Sequence, residues 1–210
     1  AQFNLSRAEG GVISKRQYFY DIFHPTNEGH QVMADCLTYL FEQVAAAEWD
    51  EEITAYPTEP VKGNSFTNVH RIDRHYTLAG TEIVEGGFNA IDEVLQYVEM
   101  NEDTYGTPQF PFNWQHTPAS GSESFKLSIE SKNLLLVFKD SGDPNFGKAL
   151  IYVDGKLVRE AEPYINGWNH CNAVILYDEK ECKRHEVEIK MAEGYEDKYF
   201  TILGFGYTRE

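Results

Sequence analysis

Apolar residues recur at helical spacing along one long stretch of this chain. Val32, Met33, Cys36, Leu37, Leu40, Phe41 and Val44 fall at i, i+1, i+4, i+5, i+8, i+9 and i+12, a single stripe that predicts an amphipathic helix from about Thr26 to about Glu48. Thr26 or Asn27 can cap it, because either side-chain oxygen can accept from the free N–H groups of the first turn. His30 lies one turn inside this helix and reads as structural. Residues 1 to 17 are mixed, with a turn at Gly10-Gly11, and read as a connecting loop. One helix cannot bury enough surface to fold by itself, so its stripe needs a cover from elsewhere in the protein or from a second copy of the chain.

The pattern then changes twice. Residues 49–63 carry Asp50-Glu51-Glu52, Pro57, Pro60 and Gly63 without periodicity, which marks a semi-rigid linker. From Ser65 onward, short alternating or fully apolar runs stand between turn signals: Ser65 to Asp73, Phe110 to His116, Glu123 to Glu130, Lys132 to Lys139, Lys148 to Asp154, Cys171 to Tyr177, His185 to Met191 and Lys198 to Tyr207. Asp154-Gly155 between two of these runs is a hairpin signal, since glycine tolerates positive φ. Ala90 to Met100, with Ile91, Val94, Leu95 and Val98, invites a helix. The expectation is a mostly β chain, with an antiparallel β-sandwich over residues 64–210 preceded by a helical segment over residues 1–48.

Composition narrows the partners. Apolar content of 41% and aromatic content of 14% are those of a globular chain with a substantial core. A formal net charge of -16, with no basic cluster, argues against nucleic acid and anionic membrane surfaces. No apolar run is long enough to span a bilayer. Cys36, Cys171 and Cys182 make no disulfide framework; the simplest view is a reduced chain, which favours the cytoplasm over secretion. The His residues show no i, i+4 pair, which speaks against a zinc site, and no cofactor is expected.

The chemistry concentrates just before the helix, in Tyr18-Phe-Tyr-Asp21-Ile-Phe-His24-Pro25-Thr-Asn-Glu-Gly29-His30. Pro25 disfavours helical backbone at His24 and holds it extended, with its ring free to project. Asp21, three residues earlier, can turn back toward Nδ1. In Ser-His-Asp chemistry that carboxylate fixes the imidazole tautomer while Nε2 takes the nucleophile's proton.

Asp-x-x-His-Pro followed by a glycine and a capped helix resembles the last signature block of the SGNH (GDSL) hydrolase superfamily. The wording from Tyr18 to Asp35 is especially similar to bacterial members that act on acetylated plant polysaccharides. The resemblance implies that residues 1–48 are the last loop and C-terminal helix of an α/β SGNH hydrolase domain, with Asp21 and His24 as two members of its triad. It also exposes a gap. The Gly-Asp-Ser block and the oxyanion-hole glycine and asparagine have no counterpart here, and Gly63-Asn64-Ser65 and Ser141-Gly142-Asp143 fall after the His block, in the wrong order. The chain also begins at Ala1 rather than a methionine. The expectation is the C-terminal portion of a longer acetylesterase, inactive without a nucleophile-bearing SGNH part.

The second half resembles jelly-roll accessory domains of carbohydrate-binding-module type. Phe146-Gly-Lys-Ala-Leu-Ile-Tyr-Val-Asp-Gly-Lys156 and Phe200-Thr-Ile-Leu-Gly-Phe-Gly-Tyr-Thr are similar to two of their inner strands. The partner implied is an acetylated polysaccharide or oligosaccharide; the alternative is a non-catalytic binding or structural module. Sugar sites pair an aromatic platform with hydrogen-bonding groups. Two stretches fit: Asn113-Trp114-Gln115-His116, and Asn166-Gly167-Trp168-Asn169-His170. Trp114, His116, Asn166 and Trp168 are therefore candidate substrate-binding residues, with core packing as the other reading of each Trp. Asp140, Asp143 and Asp154 read mostly as turn residues, with a structural calcium as the lesser alternative.

Overall fold

A computed structural model of the chain describes residues 14–21, 23–48, 60, 63–97, 106–165 and 167–210. The chain divides into two compact units, residues 1–59 and residues 60–210. Most of residues 49–63, expected to be a linker, lies outside the described residues.

In the first unit a short helix α1 (Lys15–Tyr18) leads through a tight loop into α2 (Asn27–Ala46). Thr26 is the N-cap, extended at φ -73°, with its Oγ1 accepting from Gly29 N at 3.0 Å. The helix therefore starts where its capping residue dictates. Val32 is buried, whereas Leu37, Leu40, Phe41 and Val44 of the same stripe are all more than half exposed.

The second unit is antiparallel β: β1 (His70–Ile72), β2 (Glu82–Val84), β3 (Trp114–His116), β4 (Phe125–Asp140), β5 (Ala149–Val153), β6 (Lys156–Ala161), β7 (His170–Met191) and β8 (Phe200–Thr208). Hydrogen-bonded neighbours run β1-β8-β4-β7-β5-β6, with β2 on β4 and β3 on β8. Two pairs of expected strands are continuous: Glu123 to Glu130 with Lys132 to Lys139 form β4, and Cys171 to Tyr177 with His185 to Met191 form β7.

These two long strands bend. Their register breaks between Ser131 and Asn133, where Ser131 pairs with Lys183 but Asn133 pairs with Asp178. Phe205 is the backbone partner of Leu136, yet its ring stacks 5.8 Å from Phe125. Were β4 straight, Phe125 and Leu136 would stand roughly 36 Å apart at about 3.3 Å per residue. The two halves of β4 therefore face one another, each in its own layer, and the core of the sandwich closes between them. Phe125, Leu127 and Ile129 from one half meet Leu134, Leu136 and Phe138 from the other, all essentially buried. The Asp154-Gly155 hairpin joins β5 to β6 as expected, with φ of 50° and 76°.

The helix expected over Ala90 to Met100 does not form where the chain is described. Ala90 and Tyr97 sit in isolated bridges to Gln115 and Pro108, and residues 91–96 are irregular. The reason is long-range. Asn113 Oδ1 accepts from Asp92 N at 2.8 Å, and its Nδ2 donates to Asp92 O at 2.9 Å. Lys139 Nζ donates to Asp92 Oδ2 at 2.9 Å and to Val94 O, and Thr201 Oγ1 also donates to Asp92 Oδ2 at 2.7 Å. Side chains of the sheet take the backbone groups that a helix would have used.

Candidate functional site

Residues 18–29 close a small loop that places Asp21 against His24. Its neck is held by Thr26 N donating to Tyr18 O at 2.9 Å, by Thr26 Oγ1 donating to Gln17 O, and by a bridge between Phe19 and Pro25. Gly29 makes that neck possible, because a Cβ there would stand 2.2 Å from Tyr18 O. Inside the loop, Tyr20 N donates to His24 O at 3.1 Å.

Asp21 is fully engaged within this turn. Oδ1 accepts from Phe23 N and His24 N, each at 2.7 Å, and Oδ2 lies 2.6 Å from His24 Nδ1. The His24 hydrogen bonds, from side chain and then backbone, together with that from Phe23 N, hold the Asp21 carboxyl at about 2. An ionised carboxylate at that distance requires Nδ1 to carry the proton, which leaves Nε2 as the basic nitrogen. The Tyr20 ring stacks on the imidazole, centroids 5.6 Å apart and planes 17° apart. His24 and Asp21 side chains are 63% and 41% exposed, so the pair stands at a surface. Tyr20 is not among the site residues that the sequence pattern points to, where the aromatic lead-in before Asp21 is its only signal.

The other candidates lie in the sandwich. Trp114 sits on β3, 1% exposed, edge-on to Phe125 at 5.1 Å, with Nε1 donating to Glu85 at 3.0 Å. Neither face of that ring is open to a sugar, so the platform expected there is corrected: Trp114 is core packing. His116 is also buried, its Nδ1 donating to Lys198 O at 2.9 Å. It nonetheless lines a cleft of about 440 Å³ with Phe88, Glu123, Lys190 and Glu193.

Trp168 is different, at 66% exposure. Its ring lies 5.8 Å from that of His170, and its carbonyl accepts from His170 Nδ1 at 3.2 Å. Buried Asp140 anchors both ends of this loop, with Oδ1 accepting from Ile165 N at 2.9 Å and Oδ2 3.4 Å from His170 Nε2. The loop thus presents Trp168 from a fixed base. Asn166 lies outside the described residues.

Asp140, Asp143 and Asp154 are each committed to backbone or histidine partners. Among the described residues no group of three or more His, Cys, Asp or Glu side chains stands where it could hold a metal ion. No helix of the described residues is long and apolar enough to cross a membrane.

No family model matches the sequence, and no curated protein matches it. Solved structures do. The chain is similar to a two-domain esterase, CEX, active on acetylated mannans, at 19% identity and a TM-score of 0.63, covering 98% of this chain and 53% of that one. The same esterase co-crystallized with mannopentaose matches at 20% identity and a TM-score of 0.62, with the same coverage. A looser match is the acetyl xylan esterase Est2A from the rumen bacterium Butyrivibrio proteoclasticus, at 12% identity and a TM-score of 0.40, covering 68% of this chain and 32% of that one. These neighbours are carbohydrate esterases. At such identities the likeness to CEX is one of fold, and this chain spans about half, 53%, of its length.

Proposed function

We propose that this chain is the Asp- and His-bearing part of an SGNH-type esterase that deacetylates a plant polysaccharide or its oligosaccharides, with acetylated mannan the favoured class. The observation that carries the proposal is the Asp21–His24 pair, 2.6 Å apart in an Asp-x-x-His-Pro loop closed over a capped helix. The fold likeness to an esterase active on acetylated mannans supports the substrate class.

In this reading a serine from outside these 210 residues attacks the acetyl carbonyl. His24 Nε2 takes the serine proton as the C–O bond forms, then delivers it to the departing sugar oxygen as the ester bond breaks. Water, deprotonated by the same nitrogen, then attacks the acetyl-serine; the acyl C–O bond to serine breaks, the serine oxygen takes that proton back from Nε2, and acetate leaves. Asp21 holds Nδ1–H throughout and offsets the positive charge of the imidazolium. The exposed stripe of α2 is the surface that the nucleophile-bearing SGNH part covers, and the sandwich binds the glycan or caps the cleft, with Trp168 as its ring platform.

The test is acetate release from acetylated mannan, read together with labelling by a fluorophosphonate, which bonds only to an activated serine. Label on a polypeptide segment outside this sequence, lost together with acetate release in Asp21→Asn, supports the reading. Label on a serine of this chain, or full acetate release by Asp21→Asn, overturns it.

A further inference from the structure

The turn after β1 carries a second group of exposed rings, far in sequence from Trp168. The His75 imidazole stacks on Phe112, centroids 4.8 Å apart and planes 23° apart, and Tyr76 meets His75 edge-on at 4.7 Å. Tyr76 is 50% exposed and Phe112 40%. Arg71 lies over the Tyr76 ring, its guanidinium carbon 4.6 Å from the centroid.

These rings stand on a rigid base. Buried Asp73 accepts from His75 N at 2.8 Å and Tyr76 N at 2.7 Å, and it pairs with Arg71 Nε at 2.9 Å. The next residue, Arg74, donates to the carbonyls of Asn113, Phe88 and Ala90 and pairs with Glu85. Arg74 N also donates to Phe112 O at 3.1 Å, which ties the two ring-bearing segments together. Side chains ordered in this way lose little entropy when a ligand arrives.

We infer that His75, Tyr76 and Phe112 form a second glycan-binding platform on the sandwich, so that its ligand is an extended sugar chain rather than a single residue. The inference rests on the glycan-binding role proposed above for this unit. Sugar C–H faces pack on half-exposed aromatic rings; the Arg71 guanidinium covers one face of Tyr76, so a sugar would take the other, and its N–H groups other than Nε, which Asp73 holds, can donate to sugar hydroxyls. A protein partner fits less well. Stable interfaces cover about 800 Å² on each side, whereas two half-exposed rings among charged neighbours make a small and interrupted apolar area. The segment from Gln109 to Asn113 runs from Cys171, next to the Trp168 loop, to this platform, with Gln109 Oε1 accepting from Cys171 Sγ at 3.7 Å. A polymer can use both ends of that segment.

The experiment titrates the full 210-residue chain with soluble mannan and with mannopentaose by calorimetry, comparing wild type with Tyr76→Ala, Phe112→Ala and Trp168→Ala. Phe112→Leu is the control for folding, because it keeps apolar volume and removes the flat ring. Tyr76→Ala, Phe112→Ala and Phe112→Leu should each weaken mannan binding by about 3- to 10-fold, the scale of one aromatic contact. Mannan affinity unchanged in these variants, while Trp168→Ala weakens it, leaves the glycan role of the sandwich standing and overturns the second platform. A wild-type chain that binds neither glycan overturns both. Variants that change only the self-association of the chain overturn the inference in favour of a protein contact.

Discussion

The Asp21–His24 loop and the Asp92–Lys139 cluster both join a carboxylate to a base, and they are built in opposite ways. The first is assembled from neighbours three residues apart, stands at the surface, and aims a free imidazole nitrogen outward. The second joins residues 47 apart, is almost fully buried, and is held in place by Thr201, Val94 and the Phe146 ring. An acid–base pair that does chemistry must keep one partner reachable and titratable. A pair that organises a fold must leave nothing unsatisfied, because an orphaned buried charge is costly.

That contrast sets the scale of what each should do when altered. Lys139→Met strands the Asp92 carboxylate in the sandwich and should destabilise that unit by about 3–5 kcal/mol, read from denaturant unfolding. A loss below about 1 kcal/mol would mean that the cluster does not organise the 90–97 segment. Trp168→Ala removes one exposed ring and should raise KM on oligosaccharide esters by about 2- to 10-fold while sparing small activated esters. Equal losses on both substrate kinds would place Trp168 in a purely structural role. Thr26→Ala deletes the N-cap of α2 and should cost the first unit about 1 kcal/mol, visible as lost helicity at 222 nm in a titration against denaturant.

The smallest effect concerns the Asp21 proton. Its folded value, about 2, lies below the ordinary 3.8, so whatever stability it contributes is present above the ordinary value and lost as pH falls through about 2. The group is exposed, and the contribution is correspondingly minor. Carboxyl-carbon NMR should show Asp21 titrating near 2 in the wild type and moving up toward the ordinary range in His24→Ala, where the largest of its hydrogen bonds is gone. An unmoved titration would show that the backbone donors alone hold it down.

The same contrast explains what could be read in advance. The dyad, the capped helix and the Asp154-Gly155 hairpin depend on residues within a few positions, and all three geometries are legible in the order of amino acids. The bend of β4 and β7 is not, because Ser131-Lys132-Asn133 carries no signal that distinguishes a fold-over from a turn between two strands. Ala90 to Met100 has helical spacing, yet Asn113 and Lys139, distant in sequence, claim its backbone. Trp114 stands among amides in a sugar-site pattern, and only the packing of Phe125 and Phe205 around it shows that it belongs to the core. The His75–Phe112 stack joins residues 37 apart on two irregular segments, beyond any local pattern.

His24 is proposed as the base of an ester-cleaving site. That role is read from kcat/KM for acetate release from acetylated mannan, measured on protein that carries this sequence together with the proposed serine-bearing segment, in wild type and His24→Ala. A loss of about 10²- to 10⁴-fold with an unchanged melting temperature for the sandwich is expected. Activity within a factor of about 2 of wild type, well short of what loss of a general base removes, would contradict it.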